Sequence, residues 1–140
     1  MRVLTMGTFD TIHAGHIGLF NQCRRLAGDS EVIVAVNTDE FVTSYKGKPP
    51  LVPYASRAAV IQTLRTVNRV VPNYGGWQQP LLIAQVAPDI LVVGDDWAAK
   101  NYLEQINTTQ QWLDSKNIQL CYVPRTGNWS STAIKSHAVG

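Results

Sequence analysis

Two histidines three residues apart, His13 and His16, close the segment Gly7-Thr8-Phe9-Asp10-Thr11-Ile12-His13-Ala14-Gly15-His16. The segment lies between an apolar run and a stretch with helical spacing. On an entering helical turn, rings at i and i+3 point to the same side. The helix start adds unpaired backbone N–H groups and the positive end of its dipole, a natural seat for phosphate. Gly15 removes a side chain that would hold a phosphate away from that backbone. Together with Thr8, this is equipment for a phosphoryl-transfer transition state, in which extra negative charge must be stabilised at one point. The same residue types have plainer uses as caps or surface groups. A metal site would need further carboxylate or thiolate ligands, and Asp10 is the only one close by.

The elements that would carry this segment alternate strand and helix. Arg2–Met6, Glu31–Asn37, Arg69–Val71, Ile90–Val93 and Gln119–Val123 read as strands. The second is apolar nearly throughout, as in a strand covered on both faces. Helices are expected over about Gly15–Ala27, Asp39–Ser44 (capped by Thr38 or Asn37), Tyr54–Thr66 and Pro80–Val86. One or two more are expected within Trp97–Ser115, with a closing helix over Thr132–Ala138. Tyr45–Pro53 holds three prolines and a glycine, so it is expected to be irregular. Strands separated by helices imply an α/β fold: a Rossmann-like parallel sheet of about five strands with helices on both faces. In such sheets ligands bind beyond the carboxyl ends of the strands. Gly7–His16, Asn37–Lys48, Gly94–Trp97 and Arg125–Thr132 all follow strands, so they converge on one edge.

The 140 residues suit a single domain over 1–140. With 45% hydrophobic and 16% charged residues, the chain has an ordinary globular balance. A net charge of +2 without a basic run argues against a nucleic-acid partner. The longest apolar stretches are strand-sized, which argues against a membrane span. Met1–Met6 meets polar Gly7-Thr8 before a signal-peptide core could form, and Cys23 and Cys121 lack CxxC spacing. Both features point to a reducing cytoplasm and two buried free thiols.

Gly7-Thr8-Phe9-Asp10 followed by His13-Ala14-Gly15-His16 resembles the cytidylyltransferase-like branch of the HxGH nucleotidyltransferases. The resemblance is nearest to the glycerol-3-phosphate cytidylyltransferases and runs down almost the whole chain. It includes Asn37-Thr38-Asp39-Glu40-Phe41, Lys46-Gly47-Lys48, Gly94-Asp95-Asp96-Trp97, and Arg125-Thr126 with Ser130-Ser131-Thr132. It implies that a phosphate on an acceptor attacks the α-phosphorus of CTP and expels pyrophosphate, with no covalent enzyme intermediate. The acceptor would be a polyol phosphate such as glycerol 3-phosphate. His13 and His16 would stabilise the α-phosphate, and Thr8 would position it, with Gly7, Phe9, Asp10 and Gly15 completing that contact. Lys46 and Lys48 would neutralise phosphate oxygens from the irregular loop. A solvated hairpin tip is the plainer reading of that lysine pair.

By the same resemblance, Arg125, Thr126, Ser130, Ser131 and Thr132 would hold the β- and γ-phosphates, since hydroxyls at a helix start can bind anions. Trp129 and Ser131 depart from the family's Arg-Thr-x-x-x-Ser-Thr-Thr signature. Gly94 would allow close approach at a strand end, and Asp95 would accept from ribose hydroxyls while Asp96 caps the next helix. Trp77 and Arg57 match family positions beside the ligands, although a packed aromatic and a solvated helix charge would also explain them. Mg²⁺ bound with the nucleotide and a homodimer are further implications, with no metal held by the protein itself. His-Ala-Gly-His, the Val-Pro before the Arg57 helix and Ala-Pro-Asp-Ile-Leu-Val are also similar to heptose-phosphate adenylyltransferases, which use ATP and a sugar phosphate. A catalytically silent nucleotide-binding module is the reading outside enzymes.

Overall fold

The computed structural model describes residues 1–94 and 101–124. Five strands form one parallel sheet: β1 (Val3–Gly7), β2 (Val32–Asn37), β3 (Arg69–Asn73), β4 (Ile90–Gly94) and β5 (Gln119–Val123). Their order is β3-β2-β1-β4-β5, so the chain winds outward from β1 in one direction and then in the other. This is the doubly wound arrangement, with ligand space beyond the carboxyl ends of the strands.

Helices cover both faces. α1 (Ala14–Ala27) and α3 (Tyr54–Gln62) lie on one, α4 (Gln78–Val86), α5 (Tyr102–Gln105) and α6 (Gln110–Ser115) on the other. The alternation along β1 and β2 decides who packs where. Leu4, Met6, Ile33 and Ala35 join Ile83 and Leu113, while Val34 and Val36 join Phe20 and Ile61. All of β2 is buried, as its unbroken apolar run requires. The one polar side chain inside β1, Thr5, donates its hydroxyl to Val92 O at 2.8 Å and leaves no unmet hydrogen-bonding group there.

Two helices end away from their expected boundaries, and a third region divides as expected. α2 (Asp39–Lys46) continues through Tyr45 and Lys46, because Thr38 caps its start and left-handed Gly47 (φ 78°) ends it. The irregular segment is therefore 47–53. α3 stops at Gln62 rather than Thr66, where the backbone tightens into short turns such as Leu64 N to Ile61 O. The Thr66 carbonyl is taken by the Arg24 guanidinium instead of by a helical amide. The Trp97–Ser115 region holds α5 and α6, broken at Asn107 (φ 57°) and restarted by the Thr109 hydroxyl accepting from Trp112 N. The closing helix expected over Thr132–Ala138 lies outside the described residues.

Candidate active site

β1 delivers the chain to the carboxyl edge, and a strained turn sets the histidines. Phe9 adopts φ 51°, a left-handed conformation that costs a bulky residue on the order of 1–3 kcal/mol. Its ring is held in place against Phe20 at 5.2 Å and edge-on to His16 at 5.4 Å between centroids. A Cβ on Gly7 would lie 2.9 Å from Phe9 Cζ, so this tight return of the ring requires the glycine.

His13 is the N-cap of α1, and its Nδ1 accepts from Gly15 N at 3.0 Å. An accepting Nδ1 places the neutral ring's proton on Nε2, making the far edge of the ring a donor. His16 follows in the first turn. The two imidazoles stack with centroids 3.8 Å apart and planes 21° from parallel. The expected pairing of the rings on one side of the helix start is therefore present.

A cleft of about 210 Å³ opens along the strand ends, lined by Gly7 and Thr8 of the turn that leads to the histidines but not by His13 or His16 themselves. Tyr45 and Lys46 of α2 line the cleft with Asn37 at the end of β2, Asn73 at the end of β3 and Gln79 of α4. The Thr8 hydroxyl is 3.0 Å from the Tyr45 hydroxyl and accepts from Asn37 Nδ2 at 3.1 Å. Tyr102 also lines the space, and burial pushes its phenol above the ordinary range, so it stays neutral. Lys46 thus reaches the site from the last helical turn of α2, not from an irregular loop. Lys48 is exposed on the 47–53 segment and does not line the cleft.

Three expected ligand contacts take other roles. Asp10 is buried, and its carboxylate accepts from Leu51 N at 3.0 Å and Val52 N at 2.9 Å. It fastens the 47–53 segment over the turn rather than facing a nucleotide. Arg57, expected at the acceptor or in solvent, is only 1% exposed. Its guanidinium donates to Val52 O, Thr8 O, Asn37 O and Asp39 Oδ1 at 2.7–2.8 Å. It cross-links the turn after β1, the end of β2 and the start of α3, and all of these bonds stay inside the protein. Phe9, with its ring buried, supports His16 from behind.

Trp77 sits at the start of α4 with 70% of its surface exposed, outside the cleft lining. Gly94 ends β4 as expected. Asp95, Arg125, Thr126, Ser130, Ser131 and Thr132 lie outside the described residues.

Sequence reading left Asn73, Gln79 and Tyr45 out of the site. One signal was available: β2 and β3 both end on asparagine, and Asn37 and Asn73 are register partners. A polar residue closing an apolar strand at the ligand edge is a candidate in its own right.

A domain description for cytidylyltransferase-like proteins matches residues 4–137. The chain belongs to the cytidylyltransferase-like family. It is 34% identical to the glycerol-3-phosphate cytidylyltransferase of Bacillus subtilis, covering 99% of this chain and 98% of that protein. It is 35% identical to the FAD synthase of Korarchaeum cryptofilum over 95% of this chain and 88% of that protein. With the bifunctional protein HldE of Sodalis glossinidius it shares 45% identity over 68% of this chain, but only 19% of that longer protein. Among solved structures, a lipopolysaccharide core biosynthesis protein from Thermoplasma volcanium superposes with a TM-score of 0.68 at 26% identity. That match covers 91% of this chain and 98% of the other. Its relatives make the protein a nucleotidyltransferase by family. Among the described residues, no helix is long and apolar enough to cross a membrane.

Proposed function

We propose that this protein transfers CMP from CTP to a small polyol phosphate, glycerol 3-phosphate being the first choice, and releases pyrophosphate. An acceptor phosphate oxygen attacks the α-phosphorus and forms the new P–O–P bond. The bond to the β-phosphate oxygen breaks, and pyrophosphate leaves with its electron pair. The observation that carries this reading is the stacked His13–His16 pair at the head of α1, on the turn whose Gly7 and Thr8 line a cleft together with Lys46. The imidazoles and helix N-terminus offer donors to the α-phosphate as its charge builds. The Lys46 ammonium supplies positive charge for an acceptor phosphate, so two anions can be held side by side in spite of their repulsion.

Arg125, Thr126, Ser130, Ser131 and Thr132 are assigned to the outer phosphates, and Asp95 to the ribose, on the family resemblance. Lys48 and Trp77 are kept as acceptor contacts on the same ground. Mg²⁺ would enter with the triphosphate and would supply charge neutralisation there. Among the described residues, no three His, Cys, Asp or Glu side chains gather as a ligand set, and the Asp10 carboxylate is occupied by two backbone amides. A cytoplasmic homodimer completes the reading.

A second reading has its own support. FAD contains an adenylyl group, and the Korarchaeum FAD synthase is as similar to this chain as the Bacillus cytidylyltransferase. Adenylyl transfer from ATP, to a flavin or sugar phosphate, is therefore the alternative. The test is pyrophosphate release with CTP or ATP against glycerol 3-phosphate, a sugar 1-phosphate and a flavin mononucleotide. Release that needs CTP and glycerol 3-phosphate together supports the first reading. Release with ATP alone of the two nucleotides overturns it.

A further inference from the structure

Within the cleft wall, three carboxamides form a buried chain whose every orientation is forced. Asn73 Oδ1 accepts from the backbone N–H of Gly75 at 3.1 Å, which obliges its Nδ2 to face the other way. That Nδ2 donates to Asn37 Oδ1 at 3.0 Å and to Gln79 Oε1 at 3.1 Å. Gln79 Nε2 in turn donates to the carbonyl of Gln105 at 3.1 Å. Asn73 and Gln79 are 2% and 1% exposed, so water cannot substitute for any of these partners. An amide proton at one end and a carbonyl at the other leave no freedom to flip.

The consequence reaches the cleft. With its oxygen claimed by Asn73, Asn37 must point Nδ2 forward, to Thr8 Oγ1 at 3.1 Å and towards Tyr45 Oη at 3.4 Å. The two hydroxyls share one hydrogen between them at 3.0 Å. One hydroxyl hydrogen is left over, and both hydroxyls line the cleft together with Lys46. Had Asn37 been reversed, its oxygen would draw that hydrogen inward and leave lone pairs facing the cleft. We propose that Asn73 and Gln79 are positioning residues that set the polarity of this wall through Asn37. The wall then offers a hydroxyl donor beside a cation and selects the phosphate monoester of the acceptor. The inference rests on the transferase reading for the identity of that anion. The orientation of the amides does not depend on it.

The test reverses the wall from within. In Asn73→Asp one carboxylate oxygen keeps the Gly75 amide, and the other repels the oxygens of Asn37 and Gln79, so Asn37 turns. Asn37→Asp makes the same reversal directly while leaving a partner for every neighbour. Folding of both is verified by thermal melting, and if Asn73→Asp does not fold, Asn37→Asp decides. The expected result is a rise of about tenfold or more in the acceptor KM, with the nucleotide KM nearly unchanged, as for losing a buried hydrogen bond to an anion. Calorimetric affinity for inorganic phosphate should fall in parallel. Folded variants that keep the acceptor KM and phosphate affinity, or that lose nucleotide and acceptor alike, overturn the proposal. If the wild type turns over no acceptor yet binds phosphate in a manner sensitive to Asn73→Asp, the transferase reading falls and the relay stands. If it transfers normally and the variants match it, the relay falls alone.

Discussion

His13 does two jobs with one ring. Its Nδ1 caps α1 through Gly15 N, and that bond leaves Nε2 as the donor nitrogen of the neutral ring. His16 stacks on it and leans on the buried Phe9, so neither ring has to be ordered when a nucleotide arrives. Donors fixed before reaction stabilise developing charge without reorganisation, which is where such sites gain most of their rate. Replacing His16 with alanine removes a donor and also the upper half of the stack. Pyrophosphate release should then drop at least about a hundredfold in kcat. The cap on α1 belongs to His13, so the melting temperature of that variant should change little. Near-normal turnover in a folded His16→Ala protein would take this side chain out of the chemistry.

Arg57 shows how separate elements are tied into one site. Its helix starts on Pro53 without a side-chain cap, and Asp39 of α2 supplies one from outside by accepting from Tyr54 N at 3.0 Å. The same carboxylate oxygen accepts from Arg57, whose remaining donors hold the carbonyls of Thr8, Asn37 and Val52. A guanidinium suits this post because its planar fork serves several acceptors at once and remains charged when buried. Arg57→Met keeps most of the volume but strands these carbonyls. A loss of roughly 3 kcal/mol is expected, at about 1–3 kcal/mol for each buried group left unmet and with some relaxation. Urea unfolding measures it. A midpoint within error of wild type would mean that the hub is dispensable. Gly75 marks another such junction. It sits at φ 81°, and a Cβ there would approach Phe41 Cδ1 to 2.1 Å, driving into a side chain that lines the cleft.

Across the whole molecule, the core is apolar enough to oppose ionisation of the groups it encloses. Burial, with a smaller contribution from nearby Cys121, pushes the Cys23 thiol from 9.0 up to about 12. Burial also raises the Tyr102 phenol. Both acids stay neutral when folded and ionise more readily when unfolded, so the unfolded state holds fewer protons in the window between. The stability these two groups contribute is therefore fully present below pH 9 and declines as pH climbs towards about 12. Thermal melts across that range check the sign, and Cys23→Ala should flatten the decline. A melting temperature that rises above pH 9 would contradict the burial of both groups.

Much of this architecture was legible from residue order. Apolar runs at Val32–Asn37 and Ile90–Gly94, punctuated by glycine and separated by amphipathic stretches, allow few arrangements other than a parallel sheet with helices on both sides. The HxGH spacing likewise specified a ring pair, because i,i+3 geometry is local and needs no distant contact. Asp10 and Arg57 were harder. A charged residue in a motif looks the same on paper whether it meets a ligand or the backbone of its own chain. The answer lay in which carbonyls and amides the fold brought within reach: Leu51 and Val52 for one, Thr8 and Asn37 for the other. The carboxamide chain left only the asparagines that close β2 and β3 as a trace, since Asn37, Asn73 and Gln79 become neighbours only when β2 and β3 pair in register and α4 packs against them. Periodicity and short motifs are properties of adjacent residues and survive in the linear chain. Hydrogen-bond partners drawn from different elements exist only after long-range packing has removed water and left each buried polar group one place to turn.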